Sequence, residues 1–388
     1  MALSEIQQAT ALIDRATDVL LVVPQKASID SLASLLALSL ALGSRQPRTP
    51  TPSRLDVVSP SHLPASLQFL AGSSQVKVAP TEQPEIIIDI PGQQQPGAIR
   101  QEQLQGGLRL HLALSTGPIT RDQLEVSLRA LPYDAVVVIG ALDLEELGPL
   151  FANHADFFYN TPILNIDHRA ANEQFGTVNL IDATAGSCAE VVYELLQHLG
   201  SRKLTGDIAT ALYAGIVAGT DSFQKPSTTP RSFQTAARLI EADANREAVI
   251  QHLVKTKPLN LIKLTGAIYA RLRYEEQVQL YWSILEPTDF QTSHSSSTDI
   301  PAAMKELTSN IAGFNATFVL YETAPAASAA GRYVVYILLG GGLASRRREI
   351  QAILGASKQN GALTFSISAP SLETAEALAH DKIREILP

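Results

Sequence analysis

Cysteine is almost absent: the chain has one, Cys188, so it can form no internal disulfide and no cysteine-rich zinc site, and it fits a reducing compartment. Basic residues are outnumbered, 30 Lys and Arg against 38 Asp and Glu, for a formal net charge of -8. Such a chain has no overall pull on a long polyanion. No long-duplex DNA partner is expected, and any nucleic-acid contact must come from a local basic patch. Long apolar runs are missing too. The longest, such as Leu35 to Leu42, fall far short of a membrane span. The first residues, MALSEIQQATALIDRATD, carry charges throughout and lack the apolar core of a signal peptide. No membrane association is expected, and a bacterial-style cytoplasmic protein is.

What is present is a globular composition, 45% hydrophobic and 18% charged over 388 residues, enough for two domains that each bury a core. Leu20–Val23, Ile86–Asp89, Ala135–Ile139 and Ile163–Ile166 read as short buried strands. Ser31–Leu42, Ala189–Leu199 and Ile208–Val217 read as helices. Continuous apolar strands separated by helices imply an α/β fold with a parallel sheet covered on both faces. Ligands of such sheets sit outside the carboxyl ends of the strands. The loops after Val23, Ile139 and Ile166 are therefore the places to look for chemistry.

Helical segments follow from Ser232 to Arg273, then a strand, Val278–Leu285, and a polar loop, Thr292–Asp299. A helix (Ala302–Asn310), two strands (Ala316–Tyr321, Tyr333–Leu338), a helix (Arg347–Leu354), a strand (Leu363–Ile367) and a last helix (Leu372–Leu387) predict a smaller α+β domain. The expected division is 1–245, connecting helices 246–277, and 278–388, with a cleft between the two lobes.

The segment Leu164 to Glu190, LNIDHRAANEQFGTVNLIDATAGSCAE, resembles the motif that names the DHH (RecJ-like) phosphoesterase family. Asp167, His168, Asn172, Phe175, Gly176, Asn179, Ser187 and Glu190 all fall in register with it. Asp207–Arg231, DIATALYAGIVAGTDSFQKPSTTPR, resembles the family's fourth motif and its downstream Ser-Thr-Thr-Pro-Arg. Ile353–Phe365, ILGASKQNGALTF, lines up without gaps with the glycine-rich signature of the DHH-associated C-terminal domain. The resemblance spans nearly the whole chain and is strongest to the subfamily of short-oligonucleotide nucleases and phosphoadenosine-phosphate phosphatases. It implies a parallel-sheet DHH domain with helices on both faces, followed by a smaller α+β domain.

It also implies a pair of Mn²⁺ ions that clamp the phosphate and lower the pKa of a bound water. Such hard ions need carboxylates and imidazoles converging at strand ends. In the first motif the His position is Pro24, the first Asp position is Ser28, and the second Asp survives as Asp30. The bridging Asp of the second motif is Gly140. In the third, His168 is kept and the second His, linked with substrate, is Arg169; the metal-binding Asp of the fourth is Gly219. Two remaining ligands cannot hold a hard divalent ion against water without further donors. No cofactor is expected, with Mn²⁺ the ion if the chain is active.

Other residues leave alternatives open. Asp221 and Asp143 follow closely on Gly219 and Gly140; swung inward, they would join Asp30 and His168 in a single-metal site. Otherwise Asp143 caps the short helix Leu144–Leu147. Asp89 falls in an insertion before the second motif and reads as a strand-end turn residue. His168 is a residual ligand or a buried histidine held by Asp30 or Asp167. Arg169 either replaces cation charge and binds a phosphate bidentately, or pairs with Asp30 or Asp167.

In the C-terminal domain the glycine-rich signature is eroded to Gly355, Ala356, Ser357, Lys358 and Gln359. Backbone amides of a glycine loop can approach a phosphate, and larger side chains crowd that approach. Gly340–Gly342 with Ser345 and Arg346–Arg348 is the one concentrated basic patch, a phosphate nest around Gly341 and Arg346 or a hinge leading into a solvated helix start. The expectation is a catalytically silent family member that binds a short oligonucleotide, a nucleotide, a protein partner or a second copy of itself. The alternatives are a weakly active Mn²⁺-dependent phosphodiesterase or phosphatase on short oligoribonucleotides or phosphoadenosine phosphate, and a self-assembling structural protein.

Overall fold

Residues 3–43, 52–82, 85–89, 96–114, 125–129, 131–199, 204–311, 313–322, 331–359 and 361–387 are described by a computed structural model. The chain divides into two compact units, Met1–Thr256 and Lys257–Pro388.

The first unit runs α1 (Glu5–Arg15), β1 (Asp18–Val22), α2 (Ile29–Gly43), β2 (Arg54–Val58), β3 (Glu85–Asp89), β4 (Pro96–Leu104), β5 (Gly107–Leu114), β6 (Glu125–Arg129) and β7 (Ala135–Ile139). It continues with α3 (Pro149–Asn153), α4 (Ala155–Asn160), β8 (Ile163–Asp167), β9 (Val178–Ile181), α5 (Cys188–His198), α6 (Gly206–Gly219), α7 (Pro230–Glu241) and α8 (Arg246–Val249), which passes into one π turn, Ile250–Lys255. Five strands form a wholly parallel sheet in the order β2-β1-β7-β8-β9. Its side chains alternate between two cores, as the pleat requires. Val19, Leu21, Val137, Ile139 and Leu164 face the helices α1, α2, α5 and α6. Leu20, Val22, Val136 and Val138 face Tyr133, Phe157 and Phe158. Each fully buried aliphatic chain of this kind contributes roughly 1.5–3 kcal/mol.

The helix sequences fit these places. α2 (IDSLASLLALSLALG) is apolar nearly all round and buried along most of its length, as a helix inside a large unit must be. α6 is of the same type, and its Gly215 admits α5 closely: a Cβ there would lie 2.6 Å from the Cβ of Ala189. The chain enters the sheet at β1 and crosses to β7 only after β2 and the hairpins. The order therefore reverses direction between β1 and β7, the kind of switch point at whose carboxyl ends open parallel sheets bind ligands.

Ile86–Asp89 is a strand but does not join that sheet. It lies in β3, which pairs with β6 as a separate antiparallel ribbon, while β4 and β5 form a second ribbon. Ile86 and Ile88 are exposed. A short apolar run cannot by itself tell a buried strand from an exposed one. No helix among the described residues is long and apolar enough to cross a membrane.

The second unit holds α9 (Leu259–Ala270), β10 (Arg273–Glu275), β11 (Leu280–Leu285), α10 (Pro287–Ser293), α11 (Ile300–Asn310), β12 (Ala316–Glu322), β13 (Gly331–Leu339), α12 (Arg347–Leu354), β14 (Ser357–Gln359), β15 (Ala362–Ala369) and α13 (Leu372–Arg384). Its six-stranded sheet has the order β10-β11-β12-β13-β15-β14 and is antiparallel except between β11 and β12. α12 and α13 cover one core, α9 and α11 the other. The polar stretch Thr292–Asp299 closes α10 and makes a short 3-10 turn, Ser297–Asp299.

Candidate functional site

The carboxyl ends of β1, β7 and β8 carry Pro24, Gly140 and the Asp167–Arg169 turn, and α2 and α5 begin beside them. Asp30, in the first turn of α2, is buried, and both its oxygens are committed. Oδ2 accepts the amide of Cys188 at 2.7 Å, and Oδ1 accepts that of Ala189 at 3.1 Å and the Ser34 hydroxyl at 3.3 Å. The carboxylate thus satisfies two orphan donors at the start of α5, where the helix dipole favours an anion. Burial pushes its pKa up to about 7, against the opposing pull of those two amides.

Asp167, at the end of β8, is fully buried and surrounded by donors. The amides of His168 and Arg169 reach Oδ1 at 2.7 and 3.1 Å. The Arg169 guanidinium binds it in a fork, with Nε 3.1 Å from Oδ1 and Nη2 2.8 Å from Oδ2, the strong bidentate geometry of such pairs. Asn172 donates to Oδ2 at 3.1 Å and to the Ala141 carbonyl at 2.7 Å. Asn172 is in turn linked through Asn165 to Asn179. The regularly spaced asparagines of the Leu164–Glu190 segment therefore form one network that fixes the turn after β8.

The His168 ring sits between these carboxylates. Its Nδ1 lies 3.4 Å from Cys188 Sγ, 3.6 Å from Asp167 Oδ1 and 4.0 Å from Asp30 Oδ2. Burial holds its pKa below the usual imidazole value, opposed by Asp167 and assisted by Arg169 and Lys225. The Cys188 thiol is pushed well up by burial and by Asp30 and Asp167, so it is a protonated thiol. Among the described residues, Asp30, His168 and Cys188 are the group whose donor atoms converge closely enough to share an ion. Asp143 and Asp221 lie outside it. Asp143 Oδ1 accepts the Glu146 amide at 2.9 Å, just ahead of the turn Glu145–Leu147, whose N-cap position is Leu144. Asp221 opens a left-handed run, Asp221, Ser222 and Phe223.

Residues 19–216, a little over half of the chain, match the family described as "DHH family, N-terminal domain". The chain belongs to the DHH family. Among curated relatives, a bifunctional oligoribonuclease and PAP phosphatase of Bacillus subtilis is 32% identical over 116 residues, 29% of this chain and 37% of that protein. An uncharacterised protein of Mycoplasma genitalium is 38% identical over 96 residues, 25% of this chain and 29% of its own length. The matches thus span about a third of the relatives' length. A crystal structure of an exopolyphosphatase-related protein from Bacteroides fragilis superposes with a TM-score of 0.66 at 13% identity, covering 98% of this chain and 96% of that one. That likeness concerns the fold.

Ser28, Gly140 and Gly219, where the family resemblance calls for metal-binding aspartates, each have close neighbours of their own. Ser28 accepts the Ser31 amide at 3.0 Å and contacts its hydroxyl at 2.9 Å, so it caps α2. Ser31 fills the space over Gly140: a Cβ on that glycine would lie 3.0 Å from Ser31 Cβ and nearer still to its Oγ, and Gly140 has φ +73°. Gly219 is closed in the same way, since a Cβ there would stand 2.5 Å from Ser187 Cβ and 3.2 Å from Asp30 Oδ2. Ser187 is the N-cap of α5.

Two cations reach the same two glycines. Arg169 Nη2 donates to the Gly140 carbonyl at 2.8 Å, and Lys225 Nζ donates to the Gly219 carbonyl. Sequence reasoning did not place Lys225, Ser31 or Cys188 in the site. The available signal for Lys225 was a basic residue in the stretch that follows Gly219.

In the second unit, Gly355 ends α12 in the left-handed conformation, φ +61°, and Ser357–Gln359 is the edge strand β14. Ser357 and Lys358 are exposed. Gly340 is required by close packing, since a Cβ would meet the Phe314 carbonyl and ring, and Gly341 has φ +48°. Arg346 is committed to Glu349, with Nη2 2.7 Å from Oε1.

Proposed function

We propose that this DHH-family chain is a catalytically silent phosphoesterase homologue that binds a short nucleotide ligand at the carboxyl ends of β1, β7 and β8. The observation that carries the reading is the closure of Gly140 and Gly219. Both are positions where the family resemblance calls for a metal-binding aspartate. Both lie under a serine that leaves no room for a side chain, and Gly140 has a left-handed backbone that a non-glycine residue adopts only at a cost.

The residues present do not fit a pair of manganese ions. Ser28 is spent as a helix cap, and Asp30 has its two oxygens on the α5 amides. Asp167 is enclosed by Arg169 and Asn172. A guanidinium and an ammonium stand on the carbonyls of the two glycines, which adds positive charge where two divalent cations would have to sit. The nucleotide ligand is suggested by the relatives named oligoribonuclease and PAP phosphatase.

The test is hydrolysis of 3′-phosphoadenosine 5′-phosphate and of a short oligoribonucleotide with and without Mn²⁺. No release of phosphate or mononucleotide above a control lacking the protein is expected. Mn²⁺-dependent turnover that disappears on Asp30→Ala and His168→Ala would establish the chain as an enzyme instead.

A further inference from the structure

We infer that Lys225 and Arg169 form a metal-independent site for the phosphate of a small phosphorylated ligand, the two side-chain cations serving where the family resemblance calls for metal ions. This rests on the ligand-binding reading above and specifies how the ligand is held.

The placement carries it. Each cation has its head group on the carbonyl of a glycine that stands at a lost metal-ligand position, Arg169 on Gly140 and Lys225 on Gly219. Gly140 follows β7 and Gly219 ends α6, and both border the Asp30, His168 and Cys188 cluster: a Cβ on Gly140 would lie 3.5 Å from Cys188 Sγ and one on Gly219 3.2 Å from Asp30 Oδ2. The spot is at the β1–β7 reversal in strand order, where open parallel sheets bind ligands.

The charges and donors also fit an anion. Arg169 is held rigidly by the buried Asp167 through Nε and Nη2. Its two Nη1 hydrogens have no protein acceptor among the described residues, and its side chain is 36% exposed. A guanidinium fixed by one carboxylate and one carbonyl keeps its two Nη1 hydrogens, held in a set direction, for the oxygens of a further anion. Lys225 makes no carboxylate ion pair among the described residues, and two of its three ammonium hydrogens remain after the Gly219 bond. Three carboxylates oppose anion binding: Asp167, which is already paired with Arg169, Asp30, whose oxygens hold the α5 amides, and Glu146. Glu146 Oε2 lies 4.0 Å from Arg169 Nη2 and is held by the Leu142 amide, which donates to it at 2.9 Å.

The experiment is equilibrium binding of 3′-phosphoadenosine 5′-phosphate in EDTA and in Mn²⁺, with adenosine and inorganic phosphate as further arms. Lys225→Gln and Lys225→Glu are the variants, because Lys225 is exposed and its removal leaves no buried charge unpaired; their melting curves confirm the fold. Binding in EDTA that Mn²⁺ does not strengthen is expected, with adenosine inactive. Lys225→Gln should weaken it about tenfold, as loss of one charge-assisted contact does, and Lys225→Glu further. Binding in EDTA that neither variant changes overturns this inference while leaving the ligand-binding reading intact. Binding seen only with Mn²⁺ overturns the inference, and so does no binding by any probe, which removes the ligand-binding reading as well.

Discussion

Ser31 occupies the space that a side chain on Gly140 would need. Gly140 has φ +73° and directly follows the central strand β7. Gly140→Asp should therefore fail to restore a ligand and should instead destabilise the fold by about 3 kcal/mol or more, from the left-handed backbone and the overpacking together. Pairing it with Ser31→Ala recovers only the packing part. Urea unfolding of the three proteins gives the result, and a Gly140→Asp chain as stable as the parent would contradict it.

Arg169 is predicted to be structural as well as ligand-facing, because it neutralises the fully buried Asp167. Arg169→Met should cost about 3–5 kcal/mol by leaving that carboxylate unpaired. Asp167→Asn combined with Arg169→Met should cost much less than the single change. A double-mutant cycle by denaturant unfolding checks this, and strict additivity of the two single costs would refute the pairing.

Asp30 should make stability depend on pH. Its pKa is raised from 3.8 to about 7 in the folded chain, so between those values the native state keeps a proton that the unfolded state releases. Its contribution is fully present below about pH 4 and is lost as pH rises through about 7, a change of a few kcal/mol at most. His168, whose pKa burial lowers, works in the opposite sense. The readout is therefore the difference between Asp30→Asn and the parent at each pH. The advantage of the parent over Asp30→Asn should shrink steadily across that window; a difference independent of pH would argue that Asp30 does not titrate there.

Much of this was legible in the residues. Leu20–Val23 and Ala135–Ile139 are apolar without interruption and Ile163–Ile166 is broken only by the buried Asn165, and these runs, buried on both faces, lie in the parallel sheet. The helix Arg347–Leu354 has the bounds its caps and periodicity give. Ile86–Asp89 misled because burial depends on neighbours far away in sequence, and those strands are exposed ribbons. The site was legible as a set of positions, from Pro24 to Gly219, but not as contacts. Nothing local to Ser31 says that it lies over Gly140, and nothing in Asp30 says that its oxygens hold the start of α5. Lys225 was hidden for the same reason, since its bond to Gly219 needs the left-handed turn at Asp221–Phe223.

Manganese should likewise leave the thermal midpoint unchanged, because an ion that binds only the folded state raises it by mass action. The direct measurement is the number of Mn²⁺ ions retained per chain after equilibrium dialysis at millimolar metal, with Asp30→Ala and His168→Ala alongside. The account predicts far less than one ion, the same in parent and variants. Two ions in the parent, lost when either residue is replaced, would contradict it.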